Sequence, residues 1–210
     1  MSVTADEDNR FFAVWLDLRT DRKNNICFAT FENGKWSANR FIYRSPGGSV
    51  CECCKPTVMA HGQTVVVMFR NLLDGARDMY LITSTDGGNT FSNARKLGEG
   101  TWPLKACPMD GGSVSFDSKS QIHTAWQRDG SVFHCVPGLK EERIGAGRSV
   151  GISNEFVTWQ RGSDLFIKRF GGEETKIGQG SGLQLVRFGD DSLLCLWERE
   201  HEIVSQVVSY

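Results

Sequence analysis

No apolar run in this sequence approaches the ~20 residues that a membrane-spanning helix needs, and amphipathic helical periodicity is nearly absent. Charge of one sign is also lacking. A formal net charge of −1 gives no general electrostatic reason to expect nucleic acid or an anionic membrane as a partner. The opening MSVTADEDNR lacks the basic-then-apolar order of a signal peptide, so the chain reads either as cytoplasmic or as one that begins after a leader. The histidines His61, His123, His134 and His201 are scattered with no H-x-x-x-H pair. A histidine metal site is therefore not expected, and no cofactor or metal motif stands out.

What is present is a succession of short β-branched and aromatic runs separated by Gly, Asn, Asp and Ser, which predicts an all-β fold. Five of these runs end alike, in an aromatic residue followed by polar or charged ones: FFAVWLDLR (11–19), TVVVMFRN (64–71), QIHTAWQRDG (121–130), EFVTWQRGS (155–163) and SLLCLWERE (192–200). The anchors are Trp15, Phe69, Trp126, Trp159 and Trp197, at spacings that bracket the ~40–50 residues of a four-stranded propeller blade. Each anchor run fits the second strand of a blade. The expectation is one β-propeller domain over 1–210, with blades at about 2–44, 55–97, 113–145, 148–178 and 182–210. With no segment left over for a sixth blade, a compact five-bladed ring is favoured over part of a six-bladed one. Residues Ser2–Ala5 either supply a first strand or close the ring against the last blade.

The sharpest local pattern is Ser84-Thr85-Asp86-Gly87-Gly88-Asn89-Thr90-Phe91. An Asp carboxylate can accept from backbone N–H groups just after it, the glycines supply positive φ, and Phe91 can pack back beneath the turn. Ser84, Asp86, Gly88, Thr90 and Phe91 together resemble the Asp-box of sialidase-like β-propellers, also called bacterial neuraminidase repeats. Thr30–Ser37 (TFENGKWS) looks like an eroded, one-residue-shorter copy, with Trp36 in the place of Phe91. The resemblance implies a propeller, usually six-bladed, and assigns the turn a structural role away from any active site.

Strand alternation sorts the loops onto two faces. One face receives all the loops that follow the anchor strands: Asp17, Arg19, Asp21 and Arg22; Arg70, Asn71, Arg77 and Asp78; Gln127, Arg128 and Asp129; Gln160 and Arg161; Glu198, Arg199 and Glu200. The long connections 45–56 and 98–108 join them, and the Ser84–Phe91 turn falls on the opposite face. An arginine near the end of every anchor strand suggests a ring of guanidinium groups that could grip a carboxylate. Alternatively, each arginine pairs with an acid of its own loop and stiffens the rim. Sialidase-like enzymes hold the substrate carboxylate with three arginines, and the resemblance carries that role onto Arg19, Arg70 and Arg77. Asn71, Trp102 and Lys105 are read as further substrate contacts, Trp102 either as an aromatic platform for a sugar ring or as a lid packed over the pocket rim. Asp17, Asp78 and Asp110 are the candidate acid/base groups on that face. Against catalysis, Tyr43, Tyr80 and Tyr210 offer no clear nucleophile at a central pocket, and the F-R-I-P motif that opens a sialidase domain is missing.

Seven cysteines complete the inventory. Cys27, Cys135 and Cys195 sit in strand-like runs and read as small buried hydrophobes. Cys51, Cys53, Cys54 and Cys107 lie in the two long loops, an arrangement similar to a subgroup of Asp-box proteins with paired Cys-Pro segments and an Arg-Asp-Met-Tyr strand such as Arg77–Tyr80. Three readings stand: a disulfide from Cys107 to Cys53 or Cys54, four thiolates on zinc despite an unusual Cys-x-Cys-Cys spacing, or free thiols. A disulfide favours an extracytoplasmic address. The sequence thus suggests a sialidase-like propeller that recognises an acidic carbohydrate or another small carboxylate ligand, with exo-glycosidase hydrolysis as the enzyme form of that reading. A non-catalytic interaction scaffold and a metal-thiolate or redox protein are the alternatives.

Overall fold

The computed structural model describes residues 1–20, 22–189 and 192–209. Two residues of the sequence reading, Asp21 and Tyr210, lie outside them. The described residues are strands and turns without a helix, arranged as five antiparallel sheets in chain order. Blade 1 holds β1 (Ser2–Ala5), β2 (Phe11–Asp17), β3 (Asn25–Glu32), β4 (Lys35–Trp36) and β5 (Arg40–Tyr43), the last pairing with β3. Blade 2 is β6 (Thr57–His61), β7 (Thr64–Arg70), β8 (Met79–Ser84) and β9 (Arg95–Lys96); blade 3 is β10 (Ser113–Phe116), β11 (Ile122–Arg128), β12 (Ser131–Cys135) and β13 (Glu142–Ala146). Blade 4 follows with β14 (Arg148–Ser153), β15 (Phe156–Arg161), β16 (Asp164–Arg169) and β17 (Thr175–Gln179), and blade 5 with β18 (Ser181–Arg187), β19 (Ser192–Arg199) and β20 (Glu202–Ser209). Ser2–Ala5 pairs with Phe11–Val14, which settles it as a first strand.

Sheets this small cannot bury a face alone, so their cores lie between them. Blade 2 shows why its anchor run is apolar without interruption. Val65, Val67 and Phe69 pack on Phe12, Val14, Ile26 and Phe28 of blade 1, whereas Val66 and Met68 point the other way, onto Val114, Trp126 and Cys135 of blade 3. The same alternation continues through Ala125, Val132, Val157 and Trp159 between blades 3 and 4, and through Leu165, Ile167, Cys195 and Trp197 between blades 4 and 5. Among the described residues there are hydrophobic clusters at these four seams and none between blades 5 and 1. The outer faces of those two blades keep Trp36, Val186, Ile203 and Val207 exposed. The expected compact ring therefore has four packed seams.

Four of the five anchor aromatics share one role. Phe69, Trp126, Trp159 and Trp197 each face the preceding blade. For the last two the seat is a glycine pair, Gly145 and Gly147 under Trp159, Gly178 and Gly180 under Trp197. A Cβ on Gly145 would lie 2.6 Å from the Trp159 ring, and one on Gly178 2.8 Å from the Trp197 ring. Gly147 and Gly180 each have φ of +146°, where a side chain is strained. The repeated Ile-Gly-x-Gly at 144–147 and 177–180 is the sequence trace of this seat. Among the described residues no other blade packs a hydrophobic cluster onto Trp15. It is half-buried beside Ala13, Ala29 and Trp36 in an apolar groove of about 570 Å³, with its Nε1 donating to Asp17 at 3.0 Å.

The Ser84–Phe91 turn forms as its residues dictate. Thr90 donates its N–H to Asp86 Oδ1 at 2.8 Å and its hydroxyl to Oδ2 at 2.6 Å, and the Gly88 N–H donates to Ser84 Oγ at 2.8 Å. Gly87 and Gly88 have φ of +69° and +85°, and Phe91 packs edge-on against Phe28, 5.2 Å between centroids. The turn thus tightens the seam between blades 1 and 2, where Arg40 donates to the carbonyls of Gly88 and Asn89. The shorter Thr30–Ser37 segment repeats its frame. Ser37 N–H donates to Thr30 O at 2.8 Å and Thr30 N–H to Ser37 Oγ at 3.0 Å, as Ser92 and Thr83 do around the longer turn.

Because Trp159 fills a seam and Trp15 does not, Trp159→Ala is expected to cost about 3–5 kcal/mol of folding stability and Trp15→Ala less than about half as much. Urea unfolding of the two variants measures both, and equal losses would contradict the seam account.

Candidate functional site

The first strand of every blade lines one axial cavity of about 690 Å³, to which Ser2, Thr57, Ser113, Ser149 and Gln184 contribute. Lys55 and Asp110 are the charged side chains on its wall, with Cys53 beside them. Both come from the long loops, because Cys51–Pro56 leads into β6 and Lys105–Asp110 leads toward β10. These loops interlock. A Cβ on Gly111 would sit 2.4 Å from the Lys55 carbonyl, and Thr57 donates its hydroxyl to Gly112 O at 2.6 Å. Asp110 is buried, and burial raises its pKa above the usual carboxylate range, opposed by a Ser149 N–H donated at 3.0 Å and by Arg70 and Arg148 nearby.

The arginines expected to ring the mouth are mostly engaged within the protein. Arg70 is 1% exposed. It donates to three carbonyls, Asp110 O at 3.1 Å, Arg77 O at 2.8 Å and Gln127 O at 2.8 Å, and its guanidinium lies 5.3 Å from the Trp102 ring centre. Those bonds tie blade 2 to blade 3 and leave the cation stacked beneath Trp102. Asn71, fully buried, donates to the Tyr43 hydroxyl at 2.9 Å. Arg77 donates to Leu104 O at 3.2 Å and to Cys51 Sγ at 3.0 Å. Lys105 stands exposed on the same loop.

The candidate acids differ in environment. Asp17 accepts from Arg19 and from Trp15, and the Arg19 side chain beside it holds its carboxyl far below the usual range. Asp78 accepts the Trp102 N–H at 2.8 Å and pairs with Lys96 at 3.0 Å. The structure thus brings Arg70, Arg77, Trp102, Asp78 and Asp110 together around the blade 2–3 loops, while Asp17 and Arg19 form their own pair on blade 1. In later blades the arginines follow a repeated pattern. Arg128 pairs with Glu141 at 2.8 Å and covers Phe133, and Arg161 pairs with Glu174 at 2.8 Å and covers Phe166. In both cases the acid is the residue just before the fourth strand of the same blade, and not one from the arginine's own loop.

The cysteines of the two loops converge. Cys53 and Cys107 form a disulfide, and Cys51 and Cys54 are buried thiols in contact at 3.3 Å. Cys54 and then Arg77 hold the Cys51 thiol below its ordinary value, and the partner Cys54 is raised in turn. Cys27, Cys135 and Cys195 are buried in the strands, as their neighbours in sequence suggest.

Sequence reasoning missed a histidine pair. His123 Nδ1 and His134 Nε2 lie 2.9 Å apart across the β11–β12 hairpin, with Phe170 stacked on both rings and Asp117 3.3 Å from His123. Burial, and then His123, lowers the His134 pKa to about 4. The signal was present in the Asp129-Gly130 turn, whose tight geometry fixes the register that brings the two histidines together.

No protein-family model matches the sequence, and no curated protein does. Solved structures do resemble the fold. An α-L-arabinanase of Penicillium chrysogenum complexed with arabinobiose superposes at a TM-score of 0.62 with 12% identity, over 99% of this chain and 75% of that one. A GH43 endo-arabinanase from Bacillus licheniformis gives 0.51 at 10% identity, over 99% and 92% of the two chains. A PL25 ulvan lyase gives 0.50 at 10% identity, over 99% of this chain and 63% of that one. This chain is a β-propeller. At such identities the likeness is one of fold alone.

Two outcomes follow from these environments. Arg70→Met leaves three carbonyls without their donor, so a loss of about 3 kcal/mol or more is expected in denaturant unfolding. For Asp110 the sign is opposite. Its raised pKa means that the ionised form costs stability once the pH passes the ordinary value of about 3.9. Asp110→Asn should therefore raise the unfolding midpoint at pH 7, with the gain fading as the pH falls through that value; a gain independent of pH would refute the burial account.

Proposed function

We propose that this propeller is a carbohydrate-recognition protein that takes an acidic glycan at the mouth of the axial cavity. The observation that carries the reading is the cavity itself. It is polar along all five first strands and presents Lys55 and Asp110, with Arg148 near Asp110. Lys55 and Arg148 supply cations for a uronate or sialate carboxylate, and the hydroxyl- and amide-bearing strand residues suit a sugar ring. Support comes also from the fold neighbours, among them an arabinanase complexed with arabinobiose and an ulvan lyase, and from the likeness of the Ser84–Phe91 turn to the sialidase Asp-box.

Recognition rather than hydrolysis is the stronger form of the proposal. Two carboxyl groups flank the bond in most glycosidases, and among the described residues on the cavity wall Asp110 is the one acid. The arginines from which a sialidase-like triad would be drawn are engaged elsewhere, Arg70 by three carbonyls and Arg19 by Asp17. A second reading, an interaction scaffold for another protein, is favoured by the apolar groove at Trp15 and Trp36 on the outer face of blade 1.

Calorimetry against uronate-containing and sialylated oligosaccharides, with neutral arabino-oligosaccharides as the comparison, tests the proposal. Acidic ligands should bind more tightly, and Lys55→Ala or Arg148→Ala should weaken them roughly tenfold, about 1.4 kcal/mol, with less effect on neutral ones. Equal binding by both variants, or no glycan binding, would overturn it. Turnover of a fluorogenic sialoside would restore the hydrolase form.

A further inference from the structure

At the edge of the cavity, where Cys53 reaches its wall, the densest chemistry is the sulfur cluster of the two long loops. Cys51, Cys53 and Cys54 offer three sulfur atoms mutually within ligand distance. The separations are 3.3 Å between Cys51 and Cys54, 3.7 Å between Cys51 and Cys53, and 3.8 Å between Cys53 and Cys54. A tetrahedral zinc with bonds of about 2.3 Å has sulfur–sulfur edges of about 3.8 Å. Three corners of such a tetrahedron are therefore nearly in place. The fourth sulfur, Cys107, is bonded to Cys53 and so belongs to the same cluster.

We propose that, after reduction of the Cys53–Cys107 bond, Cys51, Cys53, Cys54 and Cys107 bind one zinc ion as four thiolates. The reductant is a dithiol. One of its thiolates attacks the disulfide to give a mixed disulfide, its second thiol displaces the protein sulfur, and it leaves as a cyclic or intramolecular disulfide. Two electrons and two protons pass to the protein, giving two thiols in place of one S–S bond. Zinc then replaces the protons remaining on the four sulfurs.

The surroundings fit an anionic sulfur site. Four thiolates on a divalent ion carry a net charge of −2, and two arginines stand ready to offset it. Arg77 donates Nη1–H to Cys51 Sγ at 3.0 Å, and the buried Arg70 guanidinium lies close enough to Cys54 and Cys51 to interact with both. Hydrogen bonds to ligating sulfur orient and stabilise such ligands. All-sulfur ligation selects soft or borderline cations over magnesium or calcium. The backbone is held from both sides, by Cys51 N–H donating to Arg70 O at 3.0 Å and by the close approach of Gly111 to Lys55 O. Little loop movement is needed beyond separation of Cys53 from Cys107. The two states are alternative staples for the same pair of loops, one covalent and one metallic.

The test uses the full chain, reduced with a phosphine under argon, stripped with chelator, and titrated with zinc against a chromophoric competitor. One zinc per chain should bind, and four thiols should become protected from a disulfide reagent. Cobalt in place of zinc should give the thiolate charge-transfer and intense visible bands of a tetrahedral sulfur site. Cys107 is exposed, so Cys107→Ser can be made without opening the core, and it should lower affinity about 100-fold. Arg77→Ala, which keeps all four ligands, should lower it roughly 10- to 100-fold, the range for loss of a group that supports a ligand. Undiminished affinity in Cys107→Ser, or all four thiols still reactive with zinc present, would overturn the proposal. Tight zinc binding by the oxidised protein would overturn it as well.

Discussion

Four of the five anchor aromatics seat on the blade before them, and the rest of the structure depends on that contact. A sheet of three or four short strands has two faces and no interior, so its stability is borrowed from neighbours. Phe69, Trp126, Trp159 and Trp197 fill the four seams, and the glycine pairs beneath Trp159 and Trp197 remove the side chains that would hold those rings away. The cavity is a consequence of this packing. When successive sheets pack face to face with a constant sense, their first strands gather on one side, and residues as distant as Thr57, Ser113 and Ser149 come to share a wall.

The same logic explains why the positive loop ends do not form an open ring of guanidinium groups. A buried cation is costly unless its donors are satisfied. Arg70 meets that demand with three carbonyls drawn from Arg77, Asp110 and Gln127, which makes it a cross-link between loops. Arg128, largely buried, meets it with Glu141 and lies over Phe133, whereas the exposed Arg161 pairs with Glu174 at the rim and lies over Phe166. The positive charge is therefore turned inward or neutralised at the rim. The cavity's charge is set instead by Lys55 and Asp110.

Repeats were legible because blade packing writes itself into sequence. The strands fall where the five aromatic-ended runs place them, with ends moved by a residue or two, and the Ser84–Phe91 turn has the hydrogen bonds its residues foretell. The Cys107–Cys53 bond is one of the pairings named in the disulfide reading, which stands beside a zinc site and free thiols. What could not be read was orientation. An arginine after an anchor strand looks the same in sequence whether it points into solvent or back under Trp102. The histidine pair was hidden for a related reason, since His123 and His134 become neighbours only through the register of one hairpin. Pattern identifies elements, whereas partners depend on geometry that pattern leaves open.

The unpacked fifth seam gives the loops their importance. β1 and β18 both reach the cavity wall, but among the described residues no hydrophobic cluster joins blade 5 to blade 1, so that side lacks the restraint the other seams have. On the opposite side, blades 2 and 3 are joined by Arg70, by the interlocked Gly111 and Lys55, and by the Cys53–Cys107 bond. Lys55 directly follows Cys54, and Asp110 stands just beyond Cys107. Whatever holds the four sulfurs together therefore also fixes the spacing between the cavity's two charged side chains. The cysteine loops and the cavity are in this sense one device, in which Cys53 and the charged side chains of Lys55 and Asp110 share a wall.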